Sequence, residues 1–173
     1  MEEKLEFKVI EIKRVAKAVE GGKRIKVRAV VVVGNLKGKV GIAIEKGFDV
    51  AEAILKAKNS AEKNLIEVPI VDGTVPYEIT YKFSATKILL KPAKRGRGLV
   101  AGGSIRIVLS LAGYTDVVSK VLGVTKNQSV NALSAIKALE SLNKSYQRKT
   151  KLQSELMSLN ENIKKSVSSN ANS

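Results

Sequence analysis

The sequence predicts an α+β fold built from two modules. Two long stretches near the start alternate apolar and polar residues, as strands do, and an apolar stripe at helical spacing follows at residues 50–66. After a segment with turn-forming residues, residues 77–142 alternate between strand-like and helix-like patterns. The chain has 173 residues, of which 44% are hydrophobic, so it can bury a substantial core.

The first module is predicted to be an antiparallel meander of three strands followed by one helix. The strands are expected at residues 5–15, 25–33 and 39–45, and the helix at residues 50–66. A phase shift of the alternation near Ile10 indicates a β-bulge. The second strand ends in an uninterrupted apolar run, which is typical of a strand buried on both faces. Asp49 is placed to cap the helix.

The second module is predicted to alternate strands and helices after a boundary near residue 70. Two prolines around Asp72-Gly73 indicate the linker. The elements are expected at residues 77–83 and 87–90 (a β-hairpin), 117–121 (a strand), and from Asn127 or Ser129 to Leu142 (a helix). The expected division of the chain is residues 1–70, residues 71–143 and a polar tail, residues 144–173, that is helical or disordered.

Residues 105–111 fit both a strand and a helix, because their apolar positions satisfy either spacing. The flanking residues favour a helix. Ser104 is a good N-cap after two glycines, and Gly113 is well placed to end the helix in a left-handed conformation.

The composition points to a polyanionic partner and removes much of enzyme chemistry. With 31 Lys and Arg against 16 Asp and Glu, the formal charge is +15, which makes nucleic acid the first partner to consider. Cysteine and histidine are absent, which excludes thiolate nucleophiles, disulfides and the usual zinc ligands. Only 4% of the residues are aromatic, so we expect contacts with an RNA backbone rather than stacking on bases.

Membrane attachment is not expected from the sequence. The longest apolar runs stay below the roughly 18 residues of a membrane span. The first four residues resemble neither a secretion signal nor a myristoylation motif. We therefore expect a soluble protein. We also expect no metal or organic cofactor.

The first candidate site is a basic hairpin at the turn between the first two strands. Gly21 and Gly22 precede four cations, which are Lys23, Arg24, Lys26 and Arg28. Glycines let an RNA strand approach the backbone closely, and long cationic side chains neutralise phosphates and release counterions. The alternative is an edge strand whose lysines only prevent aggregation.

The second candidate site is a basic, glycine-rich loop that leads into the predicted helix at residues 105–111. Its cations are Lys94, Arg95 and Arg97, and its glycines are Gly96, Gly98, Gly102 and Gly103. Free amides and the helix dipole at such a helix start favour a phosphate. That phosphate belongs either to RNA or to a nucleotide substrate, and a flexible loop without a ligand is the third alternative.

A nucleotide-using enzyme fits this loop poorly. The loop lacks the Gly-Lys-Ser/Thr end of a P-loop and the spacing of the dinucleotide-binding glycines. Phosphoryl transfer also needs carboxylates for magnesium. The available Asp49, Asp72 and Asp116 stand beside turns or helix starts, where aspartate is most often a cap.

Over roughly residues 5–143, the chain resembles the bacterial-type ribosomal protein five family of the small subunit. The motifs that carry the resemblance are Arg14-Val15 with Gly21-Gly22-Lys23-Arg24, Ala29-Val30-Val31-Val32-Val33-Gly34 with Gly38 and Val40-Gly41, Ala61-Glu62-Lys63-Asn64-Leu65-Ile66 with Gly73-Thr74-Val75-Pro76, and Leu89-Leu90-Lys91-Pro92-Ala93 with Gly98-Leu99-Val100-Ala101-Gly102-Gly103. Their order and spacing also agree with the family.

The resemblance implies an N-terminal module like a double-stranded RNA-binding domain, with three antiparallel strands and one helix. It implies a C-terminal α/β module with a left-handed βαβ crossover. It further implies a structural, non-enzymatic protein of a bacterial-type small ribosomal subunit in the cytoplasm, or of an organellar ribosome, with a role in subunit assembly and translational accuracy. The implied partners are 16S ribosomal RNA, small-subunit proteins four and eight, and mRNA near the channel through which it enters.

The resemblance also assigns site residues. Those that reach RNA near the spectinomycin site are Gly21, Gly22, Lys23 and Arg24, and those that face small-subunit protein four are Gly96, Gly98, Gly102, Gly103 and Arg106. Some positions depart from the family pattern. Glu20 stands where a basic residue commonly precedes the two glycines, Tyr77 stands where histidine is frequent, and residues 94–98 are more basic than usual.

Overall fold

Two four-stranded sheets and three helices make up the secondary structure of the described chain. The computed structural model describes residues 4–170, with side chains described up to residue 157. The first sheet and its helix comprise β1 (Glu6–Val19), β2 (Gly22–Gly34), β3 (Lys39–Gly47), α1 (Val50–Lys63) and β4 (Ile66–Glu67). The second sheet and its helices comprise β5 (Ile79–Phe83), β6 (Thr86–Pro92), β7 (Leu99–Val100), α2 (Gly103–Ala112), β8 (Val117–Val121) and α3 (Gln128–Asn170). The predicted α+β class is confirmed.

The first module is the predicted antiparallel meander with one helix. Strands β1, β2 and β3 pair in that order, and the predicted bulge appears as a register shift after Val9. Residues 29–33 of β2 are fully buried, because the two faces of this strand belong to different cores. Val31 packs in the core that contains α1, whereas Val32 packs in the core formed by the second module.

The structure corrects two details around α1. The helix ends at Lys63 rather than at residue 66, and Ile66–Glu67 instead pair with β3 as the short strand β4. Asp49 occupies the N-cap position, but its side chain makes no capping hydrogen bond in the described structure. The carboxylate that accepts an amide N–H at this helix start belongs to Glu52, which binds the Phe48 N–H at 2.7 Å.

The second sheet is mixed, with the strand order β5-β6-β8-β7. The predicted hairpin β5–β6 is antiparallel, and β7 runs parallel to β8 with α2 between them in sequence. This is a βαβ unit, and its left-handed crossover stays a prediction. The ambiguous segment is helical, as predicted, and α2 ends at Gly113, whose φ of 100° is left-handed. The N-cap is Gly102, so the prediction of Ser104 at that position is wrong.

Helix α3 continues through the point where the sequence turns polar. It runs from Gln128 to Asn170, so the proposed tail is helical over most of its length. Leu139 and Leu142 are fully buried, whereas Leu152 is 59% exposed. The three-part division of the chain therefore remains a proposal, since α3 crosses its second boundary. No helix within residues 4–170, α3 included, combines the length and the apolar character needed to cross a membrane.

The two modules meet through their backbones at the turn between β2 and β3. The Leu36 N–H donates to the Leu111 carbonyl at 3.0 Å, and the Gly38 N–H donates to the Ala112 carbonyl at 2.9 Å. A Cβ atom on Gly34 would lie 2.2 Å from the Leu111 carbonyl oxygen, so this approach requires glycine. The end of α2 is thereby fixed against the first sheet.

Candidate nucleic-acid interface

One side of the first sheet carries a cluster of cations. In the β1–β2 ladder, Lys17 lies opposite Arg24 and Lys13 lies opposite Arg28. Residues that oppose each other in an antiparallel pair project to the same side of the sheet. Alternation along β2 and pairing with β3 add two more lysines to that side. We call these six residues the cationic face: Lys13, Lys17, Arg24, Lys26, Arg28 and Lys46.

The cationic face is the side of the sheet turned away from α1. Val27 and Ala29, which alternate with its members along β2, pack in the core that contains Ala53 and Ala57 of α1. The helix therefore leaves this face uncovered near the hairpin. Farther along the same side, Val32 packs in the core of the second module.

The end of the hairpin projects from the sheet as a two-stranded ribbon. Gly22–Lys26 pair with β1 alone, because β3 begins to pair farther along β2. Gly21 turns the chain with a φ of 85°, and a Cβ atom on Gly21 or Gly22 would have no described atom within 4 Å. Lys23 and Arg24 are exposed. Because neighbouring residues of a strand project to opposite sides, Arg24 lies on the side of the cationic face and Lys23 on the other side of the ribbon, and both sides are open at the tip.

Arg28 differs from the other predicted RNA-binding cations because it is engaged inside the protein. Its Nη2 atom lies 3.3 Å from the Glu11 carboxylate, which also binds Lys13 Nζ at 2.7 Å and the Ser129 hydroxyl of α3 at 2.9 Å. The hydrogen bond from Lys13 is the main cause that lowers the pKa of the Glu11 carboxyl, and Ser129 and Arg28 add to it against the effect of burial. Arg28 thus helps to join the hairpin to α3.

Two lysines beside the hairpin were missed in the sequence analysis. They belong to a groove of about 330 Å³ that is lined by Val15, Ala16, Lys17, Arg24, Lys26 and Lys46. Lys17 could have been predicted from the sequence, because a two-residue turn at Glu20-Gly21 fixes the register and places Lys17 opposite Arg24. Lys46 gave no such signal, since the longer turn between β2 and β3 leaves their register open.

The second basic loop is folded around a buried carboxylate. Asp116 is 6% exposed, and its Oδ1 atom accepts the Gly98 N–H at 2.7 Å. Its Oδ2 atom accepts the Thr115 hydroxyl at 3.0 Å. The Gly98 amide is the main cause that lowers the pKa of the Asp116 carboxyl, and the amides of Gly96 and Arg97 act in the same direction. Gly96 and Gly98 permit the turn because their φ angles, 87° and 76°, are left-handed.

This geometry separates the alternatives left open for the loop. Asp116 was expected to cap a nearby turn or helix, but its carboxylate binds a loop amide 18 residues earlier. The Gly98 amide is occupied by this carboxylate and is therefore not available to a phosphate of either a nucleotide or RNA. The same hydrogen bonds hold the loop backbone, which speaks against a flexible loop. Lys94, Arg95 and Arg97 remain exposed, so their side chains are available for an external anion.

The hairpin and the loop line separate grooves. The groove beside the loop has a volume of about 550 Å³ and is lined by Asp72, Gly73, Arg95, Thr115 and Asp116. Within the part of the chain that the structure describes, no three His, Cys, Asp or Glu residues come together around a possible ion.

The start of α2 presents glycines that the chain's own packing does not require. Gly102 and Gly103 are exposed, and a Cβ atom on either would have no described atom within 4 Å. Gly102 has an ordinary φ of −60°. Arg106 is exposed one turn further along the helix. Closely spaced glycines without an internal reason leave room for the backbone of a partner.

Comparison with known proteins shows that both modules match models of one protein family. Residues 5–69 match the family model described as ribosomal protein S5, N-terminal domain, and residues 81–151 match the model of the C-terminal domain. These two ranges contain the first sheet and most of the second module, respectively.

Three relatives illustrate the similarity, and each is named small ribosomal subunit protein uS5. The protein of Mycoplasmopsis synoviae is 50% identical over 137 residues, which are 79% of this chain and 55% of that protein. The protein of Thermotoga maritima is 44% identical over 140 residues, which are 81% of this chain and 78% of that protein. The protein of Lawsonia intracellularis is 45% identical over 123 residues, which are 71% and 76% of the two chains.

Proposed function

Because the chain belongs to the ribosomal protein S5 family of the small ribosomal subunit, we propose that it binds 16S ribosomal RNA there through two basic surfaces. The observation that carries this proposal is the cationic face, where the strand register gathers lysines and arginines on one open side of a sheet. The role is structural: the protein positions RNA segments and catalyses no reaction of its own.

The hairpin is the first RNA-binding surface. Its contacts are assigned to Gly21, Gly22, Lys23, Arg24 and Lys26, together with Lys17 and Lys46 of the adjoining groove. Residues two apart on a strand are separated by about 7 Å, so the exposed Arg24 and the half-buried Lys26 form a row along which an RNA backbone can lie. Neutralising several phosphates at once releases counterions, which favours binding at moderate salt. Arg28 is assigned to the protein frame instead, because it binds Glu11.

The loop is the second RNA-binding surface, with Lys94, Arg95 and Arg97 as its contacts. It stands on the second module, which the turn between β2 and β3 holds against the first. The protein can therefore keep two RNA segments at a fixed separation. We propose that this positioning underlies a part in subunit assembly.

The partners follow the family resemblance. We propose that Gly96, Gly98, Gly102, Gly103 and Arg106 contact small-subunit protein four, for which the uncrowded glycines at the start of α2 leave room. Contacts with small-subunit protein eight, a place near the channel through which mRNA enters, an influence on translational accuracy and a location in the cytoplasmic ribosome belong to the same proposal.

The test is the salt dependence of binding to 16S ribosomal RNA. Several phosphate contacts predict a steep linear fall of log K with log salt concentration, with a slope of about 0.7 to 0.9 per phosphate. The triple variant Lys23→Ala, Arg24→Ala, Lys26→Ala is expected to reduce that slope by about 2 without unfolding the protein.

The matched control removes the same charge from ion-paired lysines elsewhere. Lys56, Lys91 and Lys137 each pair with a nearby glutamate, and their replacement by alanine is expected to change the slope much less. A nearly flat slope for the unaltered protein, or equal slopes for the two triple variants, contradicts the assignment of the hairpin.

A further inference from the structure

The feature that the proposed function leaves unexplained is a negative charge buried under the basic loop. Asp116 lies directly before β8, and Gly98 lies directly before β7. These strands are parallel neighbours with Leu99 opposite Val117, so the carboxylate and the glycine amide meet at the same end of the pair. Because β7 has only two residues, its pairing alone holds the loop weakly.

Two hydrogen bonds shape the loop backbone, and one of them ends on this carboxylate. Gly98 donates to it directly, and the Arg97 N–H donates to the Lys94 carbonyl at 3.2 Å, which closes the turn. On the other side, the Asp116 N–H donates to the Gly73 carbonyl at 3.1 Å, so Asp116 is itself held by the linker between the modules. The loop backbone is thereby drawn inward, while the three cationic side chains stay outside.

We propose that Asp116 is a positioning residue for RNA binding: its carboxylate holds the loop in the conformation that aims Lys94, Arg95 and Arg97 at phosphates. The inference rests on the proposed RNA contact of this loop. Long-range electrostatics acts in the opposite direction, because a negative charge beneath the loop repels RNA. Removing the carboxylate is therefore expected to weaken RNA binding if positioning dominates and to strengthen it if long-range repulsion dominates.

The experiment compares three single variants of the full chain in binding to 16S ribosomal RNA. Asp116→Ala removes both charge and acceptor and is expected to weaken binding about tenfold. Asp116→Asn keeps an oxygen that can accept the Gly98 N–H, so it is expected to recover most of the affinity. Asp72→Asn removes the same charge from the same groove and is expected to bind as tightly as the unaltered protein or slightly more tightly.

Two further readouts distinguish positioning from a loss of stability. Hydrogen exchange of the Gly98 amide is expected to accelerate in Asp116→Ala, and the salt slope of its folded form is expected to fall by about 2, as contacts from the loop are lost. A variant that was merely less stable would keep the slope of the folded protein. Asp116→Asn, which keeps the acceptor, is expected to show neither change. If the alanine variant does not fold, Asp116→Ser takes its place, because its shorter side chain removes the charge and withdraws the acceptor from the Gly98 N–H.

A triple variant separates the failure of this inference from that of the RNA contact. If Lys94→Ala, Arg95→Ala, Arg97→Ala weakens binding while both Asp116 variants bind as well as the unaltered protein, the positioning role is overturned and the loop remains an RNA contact. If the triple variant binds normally, the loop does not touch RNA, and the inference falls with it.

Discussion

The basic hairpin and the basic loop present positive charge in different ways. In the hairpin, Lys17, Arg24 and Lys26 stand on a regular antiparallel ladder, and each backbone position is set by its cross-strand partner. In the loop, the backbone is irregular and donates a hydrogen bond from Gly98 to the buried carboxylate of Asp116. A ladder keeps its remaining side chains in place when one is lost, whereas the conformation of the loop rests on a few hydrogen bonds, among them the one from the Gly98 N–H to Asp116.

The two regions also differ in how they attach to the rest of the molecule. The ribbon of residues 22–26 projects beyond the three-stranded part of its sheet, so its fixed point is the cluster around Glu11 at its base. The loop is tied to the linker through Asp116 and Gly73. Each surface is therefore anchored by an acidic residue, although RNA recognition itself uses basic ones.

The largest loss of stability is expected at the contact between the two modules, because this contact holds the two basic surfaces relative to each other. Gly34→Ala forces a Cβ atom against the Leu111 carbonyl and is expected to lower the free energy of unfolding by about 3 kcal/mol and the Tm by roughly 10 °C. Chemical denaturation measures the loss. The control is Gly103→Ala, where the added methyl group meets open space in the first turn of α2 and stability is expected to be kept. Equal stability of the two variants would disprove the tight contact between modules.

A smaller loss of stability is expected to distinguish hairpin cations that stabilise the fold from those that contact RNA. Arg28→Ala is expected to cost about 1 to 2 kcal/mol of stability, because it removes one partner of the largely buried Glu11 carboxylate, and to leave RNA affinity nearly unchanged.

Lys26→Ala is the matched comparison on the same strand. Its Nζ atom lies 4.8 Å from the centre of the Phe48 ring, a contact worth about 0.5 to 1 kcal/mol, so it is expected to cost less stability and to reduce the salt slope by just under 1. Denaturation and RNA titration of both variants measure the division. It is refuted if Arg28→Ala weakens RNA binding as much as Lys26→Ala does.

Much of the fold was predictable because its signals are local. The alternation in residues 5–33 predicted the first two strands and even the bulge beside Val9, and Gly113 marked the end of α2. The two-residue strands β4 and β7 were not predicted, because two residues carry no periodicity and their pairing depends on partners distant in sequence.

The candidate site was predictable to a lesser degree. The exposed cations of the hairpin and the loop could be named from composition and turn chemistry. The internal partners of Arg28 and Asp116 could not, since each partner lies 17 or 18 residues away in sequence. A sequence shows which residues are charged, but whether a charge faces solvent or an internal partner is decided by tertiary packing.

The smallest predicted effect uses pH to compare the two acidic anchors. The pKa of Glu11 is lowered in the folded protein, so its contribution to stability is present above the unfolded pKa of about 4.3 and is lost as the pH falls through the lower folded value. Glu11→Gln is therefore expected to be about 0.5 to 1 kcal/mol less stable than the unaltered protein at neutral pH. This difference is expected to shrink as the pH falls below about 4, measured by denaturation at each pH.

The pKa of Asp116 is also lowered, so its carboxylate becomes protonated only at the acidic end of the same pH series. There the hydrogen bond from the Gly98 N–H weakens, and exchange of the Gly98 amide is expected to speed up relative to neighbouring amides. In Asp116→Asn that relative change should vanish, whereas Glu11→Gln should leave it intact. If a single substitution abolishes both pH effects, the hairpin base and the loop are coupled through the frame between the modules and are not independent anchors. Separate loss of each effect means that the two basic surfaces are held, and can be disturbed, one at a time.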